Sequence, residues 1–251
     1  MRGRIIPPIQ QDAWAARRAA ELARQLAPAG DEPVEAVVFD AYGTLFDVGS
    51  LADVCAAVAP DGAAFAALWR AKQLDYTWLR TLMDRYAPFS AVTAEALDYA
   101  LRRHGLAPDE TARRDLLAAW LRLAPFPDAP GALARLRGLP LAILSNGSPD
   151  MLAPLLAHSG LRDHFRHVLS ADAARAYKPD PRVYALAPAA LGLPAGRLLF
   201  VSANAWDAIG ARAYGFRVAW CNRAGQPLDP HGPAPDVELR DLGELRLKIA
   251  D

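Results

Sequence analysis

The chain has 251 residues, 53% hydrophobic and 22% charged, with 28 basic and 28 acidic side chains. A net charge of zero removes the electrostatic case for nucleic acid or an anionic membrane as a partner. No apolar run approaches the roughly 18 residues of a membrane span, and Cys55 and Cys221 are too few for a disulfide framework, so they read as free thiols of a cytoplasmic protein.

In chain order, Arg2 and Arg4 precede Ile5-Ile6-Pro7-Pro8-Ile9, a stretch too short and too broken for a secretory signal. Residues 1–32 read as an N-terminal helical extension, with Trp14, Leu22 and Leu26 as the large apolar positions of an Ala-rich helix over 11–27. Pro28, Gly30 and Asp31-Glu32-Pro33 end it. Four unalternating apolar runs then predict buried strands, at 37–39, 141–144, 198–201 and 218–220, with a weaker fifth at 167–169. Helical stretches separate them, at 130–137, 149–159, 181–191 and 206–214. That alternation predicts an α/β, Rossmann-like, doubly wound parallel sheet.

Between the first and second strands the pattern is helical only. The stretches 51–59, 63–86, 93–105 and 110–124 predict four helices. Residues 49–124 therefore read as an inserted α-helical cap domain, and residues 33–48 with 125–251 as the core, with Pro125, Pro127 and Pro130 marking the return.

In open α/β sheets ligands bind beyond the carboxyl ends of the strands. The first run ends in Asp40, with Tyr42, Gly43 and Thr44 following. The second ends in Ser145 and Asn146, the third strand region leads to Lys178-Pro179-Asp180, and the 198–201 run leads to Ser202, Asn204 and Asp207. Successive strand ends thus deliver a carboxylate, hydroxyls and amides, an ammonium, and a second carboxylate to one edge. None of the five histidines sits where a catalytic base would be chosen.

These segments resemble the haloacid dehalogenase superfamily: FDAYGTLFD at 39–47, LAILSNG at 141–147, YKPD at 177–180 and FVSANAWD at 200–207. The stretch LWRAKQLDYTWLRTLMDRY at 68–86, LRLAPF at 121–126 and the Asn-Ala-Trp-Asp ending resemble its L-2-haloacid dehalogenases (haloacid dehalogenase type II). Phosphatases of that superfamily carry a second Asp two residues after the nucleophile and use magnesium. Here that position is Tyr42, whose pKa of about 10 suits it poorly as a general acid or base at neutral pH. A magnesium-dependent phosphatase and a non-catalytic binding protein on the same scaffold are the competing readings.

The resemblance implies a hydrolase acting on carbon–halide bonds without metal or cofactor, turning L-2-haloalkanoates into D-2-hydroxyalkanoates. Asp40 would be the nucleophile and form an ester. Lys178 would orient the carboxylate, and Asp207 would position Lys178 or activate water. Ser202 and Asn204 would orient that water or hold the ester carbonyl, and Tyr184 matches the family's active-site tyrosine. Thr44, Ser145 and Asn146, with the amides of Ala41 and Tyr42, would anchor the substrate carboxylate. Arg70 matches the halide-binding arginine, and Tyr42, Leu74, Phe89 and Trp206 map onto the apolar halide and alkyl pocket. Ala71 and Ala203 depart from the usual glutamine and serine, the first with an expected effect on pocket size. Haloacetates, including fluoroacetate, stay open as substrates. A homodimer held through helices at 68–82 and 116–123 is the expected partner state, with no nucleic acid or membrane partner.

Overall fold

The computed structural model describes residues 33–245; the N-terminal extension expected over 1–32 lies outside them. Six strands form one wholly parallel sheet in the order β3-β2-β1-β4-β5-β6. They are β1 (Ala36–Phe39), β2 (Leu141–Ser145), β3 (His167–Ser170), β4 (Leu198–Ser202), β5 (Arg217–Cys221) and β6 (Val237–Leu239). β1, β2 and β4 are buried at every position. This explains their continuous apolar runs, since a sheet covered on both faces has no side to leave polar. The strand order reverses at β1, which pairs with β2 on one side and β4 on the other. That reversal opens a crevice at the carboxyl ends of the central strands.

Within residues 49–124, after β1, lie four helices: α1 (Leu51–Cys55), α2 (Gly62–Leu82), α3 (Phe89–His104) and α4 (Glu110–Ala119). Asp61 and Asp109 cap α2 and α4 by accepting the Ala64 and Ala112 amides. The chain leaves and re-enters the core through paired segments. The Asp47 amide donates to the Ala124 carbonyl at 2.9 Å, and the Phe126 amide to Leu45 at 2.8 Å. The remaining helices are α5 (Ala129–Arg135), α6 (Pro149–Ser159), α7 (Pro181–Tyr184), α8 (Leu186–Leu191) and α9 (Ala205–Tyr214).

Several expected boundaries shift. The helix expected over 51–59 stops at Cys55 and the one over 110–124 at Ala119, while α3 starts four residues earlier than expected, at Phe89. The single helix expected over 181–191 is two, broken at Ala185. Strand β6 was not expected: its three residues carry one buried side chain, Leu239, so it leaves no apolar run to read.

Candidate active site

The turn after β1 builds the site. Asp40 follows the last β1 residue, and its amide donates to the Val201 carbonyl at 2.9 Å, which ties it to β4. The Ala41 carbonyl accepts from the amides of Thr44, Leu45 and Phe46. The turn needs a left-handed residue, and Gly43 supplies it at φ 86°. The Asp40 carboxylate is thereby aimed out of the sheet's carboxyl edge while remaining only 6% exposed.

Three groups grip that carboxylate. Lys178 Nζ donates to Oδ1 at 3.1 Å, and Thr44 Oγ1 and Asn204 Nδ2 donate to Oδ2 at 3.0 and 2.9 Å. Lys178 Nζ also donates to Asp207 Oδ2 at 2.9 Å, and Tyr184 donates to Asp207 Oδ1 at 2.8 Å. The ammonium therefore bridges two buried carboxylates. Burial pulls the Lys178 pKa down, but Asp207 and Asp40 outweigh it and the net shift is upward. Burial pushes Asp207 up to about 6, against the opposing pull of Lys178. Burial also raises Tyr184, with the Asp207 charge adding to it. Among the described residues no group of three or more His, Cys, Asp and Glu side chains could hold a metal ion. The cation between Asp40 and Asp207 is the protein's own.

Other residues singled out from the sequence serve differently. Thr44 was expected to anchor a substrate carboxylate, but its one hydroxyl proton goes to Asp40, and its oxygen accepts the Ala203 amide at 2.9 Å. The contact from position 203 is made by backbone, so the alanine there loses nothing. Ser145 Oγ accepts the Gly147 amide, and Ser202 Oγ accepts the Asn204 amide. Both hydroxyls brace turns. Asn146 Oδ1 accepts the Lys178 amide at 2.9 Å, while its Nδ2 is buried with no partner.

Arg70, half-buried on α2, donates to Gln73 Oε1 at 2.6 Å and lies 5.8 Å from the centre of the Trp120 ring. Burial lowers its pKa, and the charge of Asp40 opposes that. Ala71 is exposed, so the departure there does not reshape the pocket. Of the four expected pocket residues, Tyr42 and Phe89 are in direct ring contact. Tyr42 packs on Phe89 and Trp120, each at 5.7 Å between ring centres, and its hydroxyl is buried without a partner. Burial raises the Tyr42 pKa well above the ordinary tyrosine range, so the phenol stays neutral. Trp206 meets Trp78 edge-on at 5.5 Å, and Leu74 is half-buried on α2 between Arg70 and Trp78.

Sequence reasoning missed three contributors. Trp120 backs both Tyr42 and Arg70. Gly147 makes room for Tyr42, since a Cβ there would sit 2.8 Å from its Cε2. Arg223 donates to the Thr44 carbonyl at 3.1 Å, pairs with Asp128 at 3.0 Å and stacks on Phe126 at 3.9 Å. Its position just past the end of β5 was the available signal.

Known proteins carry the same organisation. Residues 34–215 match the model of the haloacid dehalogenase-like hydrolases. The chain is 50% identical over 217 residues to (S)-2-haloacid dehalogenase H-109 of Pseudomonas putida, covering 85% of this chain and 97% of that one. It is 46% identical over 209 residues to haloacetate dehalogenase H-2 of Moraxella sp. (strain B), covering 82% and 93%. The L-2-haloacid dehalogenase of Xanthobacter autotrophicus, solved with chloropropionic acid covalently bound, superposes with a TM-score of 0.80 at 45% identity, covering 84% of this chain and 96% of that one. With its sheet order, its Asp40 turn and these matches, the chain belongs to the haloacid dehalogenase-like hydrolase family.

Proposed function

We propose that the protein is an (S)-2-haloacid dehalogenase, hydrolysing L-2-haloalkanoates to D-2-hydroxyalkanoates without metal or cofactor. The observation that carries this reading is the Asp40–Lys178–Asp207 bridge with the neutral, buried Tyr42 two residues after Asp40. A phosphoryl dianion next to two carboxylates needs more positive charge than one shared ammonium supplies.

Asp40 attacks the α-carbon from the side opposite the halogen. A carbon–oxygen bond forms, the carbon–halogen bond breaks, and the halide leaves with the electron pair. Displacement from behind inverts the centre. Arg70, the Asn146 amide group and the Tyr42 hydroxyl are donors available to the departing halide or the substrate carboxylate. The two orphaned donors among them are satisfied only by a ligand or water. Water then attacks the Asp40 carbonyl carbon, the bond from that carbon to the ester oxygen breaks, and the released alkoxide takes the proton of the new Asp40 carboxylic acid, so that the hydroxy acid leaves and the Asp40 carboxylate is restored. Asp207 accepts the water's proton; its raised pKa makes it a better base than an ordinary aspartate. Lys178, Thr44 and Asn204 hold the Asp40 carboxylate for its attack.

Residues 49–124 act as a cap over a core of 33–48 and 125–251 and bring Arg70 to the reaction centre. Haloacetates are smaller substrates within the same proposal. Two buried thiols, Cys55 and Cys221, suit the reducing cytoplasm. The protein pairs as a homodimer through the C-terminal end of α2, where Leu79, Leu82 and Met83 are 50, 83 and 60% exposed. Leu116, Trp120 and Leu123 of the other expected face are buried within the chain.

The test is chloride release from L- and D-2-chloropropionate, each with EDTA present, beside an Asp40→Asn variant. Chloride from the L-isomer alone, lost in the variant, is expected. Chloride from neither isomer, with phosphate released from aryl phosphates once magnesium is supplied, sinks the reading.

A further inference from the structure

Arg70 lies within range of the Asp40 charge, and its guanidinium is held by a chain of buried polar groups that no step of the reaction uses. We propose that Gln73 and Thr93 are positioning residues that aim Arg70 at the leaving halide without cancelling its charge. The inference rests on the dehalogenase reading and deepens it, by naming the groups that hold the halide's receiver in place.

Arg70 and Gln73 stand three residues apart on α2 and so share a face. Arg70 Nη1 donates to Gln73 Oε1 at 2.6 Å, Gln73 Nε2 donates to Thr93 Oγ1 at 2.6 Å, and Thr93 Oγ1 donates to the Phe89 carbonyl at 2.7 Å. Gln73 is 0% and Thr93 1% exposed, so water does not compete for these links. The direction of the chain is fixed. An arginine only donates, so Gln73 must turn Oε1 to it, and Nε2 then faces Thr93, whose single proton goes to Phe89. A flipped amide would set donor against donor. The chain ends on the residue that packs on Tyr42. Trp69 Nε1 donates to the Thr93 carbonyl at 2.8 Å, which pins the same turn of α3 to α2.

The holder is neutral, and that decides what Arg70 can do. Among the described residues Gln73 accepts the guanidinium's hydrogen bond, and no carboxylate forms an ion pair with it. A carboxylate at position 73 would hold Arg70 as firmly but use up its charge in an internal pair, whereas an amide leaves that charge for a ligand. The surroundings also call for an anion. Tyr42 Oη and Trp120 Nε1, on two rings that meet beside Arg70, are buried donors with no partner. A carboxylate has about four lone-pair sites to satisfy, more than these aromatic walls supply, whereas a halide is a single atom.

The experiment reads kcat/KM on L-2-chloropropionate and L-2-bromopropionate in the wild type, Thr93→Val, Thr93→Ser and Gln73→Glu. This quantity covers the steps through loss of the halide and leaves out ester hydrolysis. Chloride, the poorer leaving group, depends more on a well-aimed cation. Thr93→Val is expected to lose about tenfold or more on the chloro substrate, a misplacement of about 1 Å costing up to a hundredfold. The bromo-to-chloro ratio should rise by about threefold or more, while Thr93→Ser, which keeps the hydroxyl, stays within about twofold of wild type. Gln73→Glu keeps the size and the acceptor and is expected to raise the ratio likewise, so the chain is read even if Thr93→Val fails to fold. Losses equal on both substrates, with the ratio unmoved, make the chain merely structural and overturn the inference. Saturable quenching of tryptophan fluorescence by bromide reads the site without turnover. Bromide is expected to bind the wild type, and Gln73→Glu about tenfold more weakly, with calorimetric binding of propionate changed less than about twofold. No saturable bromide binding, or binding equal in the two proteins, overturns the inference. So does a loss of propionate affinity alone, which would make Arg70 the carboxylate's partner. If bromide binds as expected but neither haloacid releases halide, the chain stands and the dehalogenase reading alone falls.

Discussion

Lys178 is the residue on which most of the site's electrostatics turn. It is 1% exposed between Asp40 and Asp207, themselves 6 and 0% exposed. Removing one partner of a buried ion pair costs about 3–5 kcal/mol, because a charge is left without compensation. Lys178→Met leaves two carboxylates facing each other, so it is expected to lose chloride release and to lower the denaturant midpoint. A Lys178→Met protein as stable as wild type contradicts the bridge. Lys178 is raised by its partners, so its stabilisation is present below its unfolded pKa of about 10.5 and fades as pH rises through the higher folded value. Asp207 runs the other way. Burial lifts it to about 6, so its ionised form costs stability as pH rises from about 3.9 toward that value. As the base in the proposed ester hydrolysis it must be ionised, so on that proposal kcat is expected to fall as pH drops through about 6. A pH–kcat profile checks this. A profile flat down to pH 4 removes Asp207 from the proton step.

At the scale of elements, the Asp40 turn is held from behind by Arg223, which grips the Thr44 carbonyl and stacks on Phe126, a residue of the segment returning from the helical insert. Asp128 fixes the guanidinium and also accepts the Leu242 amide at 2.6 Å. Arg223→Gln keeps a donor but loses the stack and the ion pair. A fall in kcat of up to about a hundredfold, the scale on which a misplacement of about 1 Å acts, is expected with KM little changed. Steady-state kinetics on L-2-chloropropionate decide it; a change in KM alone assigns Arg223 to binding instead.

This contact also marks the limit of what sequence could tell. The strands of the sheet centre were legible because burial on both faces leaves only apolar residues, and the Asp40, Lys178 and Asp207 positions were legible because each follows a strand or its connection. What stayed hidden depends on distance in three dimensions. Arg223 meets Thr44 across 179 positions of sequence. That Tyr42 meets Phe89 and Trp206 meets Trp78 depends on which helix packs where, and β6 is too short and too exposed to leave a pattern. The hydroxyl of Thr44 donates to Asp40 and those of Ser145 and Ser202 accept nearby amides, contacts that only the folded turns reveal.

On the scale of the whole molecule, the helical insert is fastened to the sheet by polar contacts far apart in sequence. Tyr86 donates to Asp172 at 2.7 Å, Tyr177 donates from its hydroxyl to the Ala87 carbonyl at 2.5 Å and from its amide to Thr81 at 3.0 Å, and Ser148 accepts the Ser90 amide at 3.2 Å. Tyr177 immediately precedes Lys178, so the same residue that fastens the insert also sets the backbone of the ammonium. The double variant Tyr86→Phe/Tyr177→Phe removes two hydroxyl donors and leaves their acceptors to find water. A net contribution of about 1 kcal/mol per bond gives a loss of about 2 kcal/mol, or roughly 4–8 °C in Tm for a domain of this size. The effect should be local as well as global. Hydrogen exchange is expected to quicken over residues 81–90, where the acceptor Ala87 and the Thr81 contact lie, and to stay unchanged in β1 and β4, which are buried throughout. Loosened fastening also lets water reach Asp40 more readily, so kcat should fall further than stability alone accounts for at temperatures well below Tm. Exchange that quickens uniformly through the sheet instead would mean that insert and core unfold as one cooperative body, and that these bonds add to its stability without governing how the insert sits over the site.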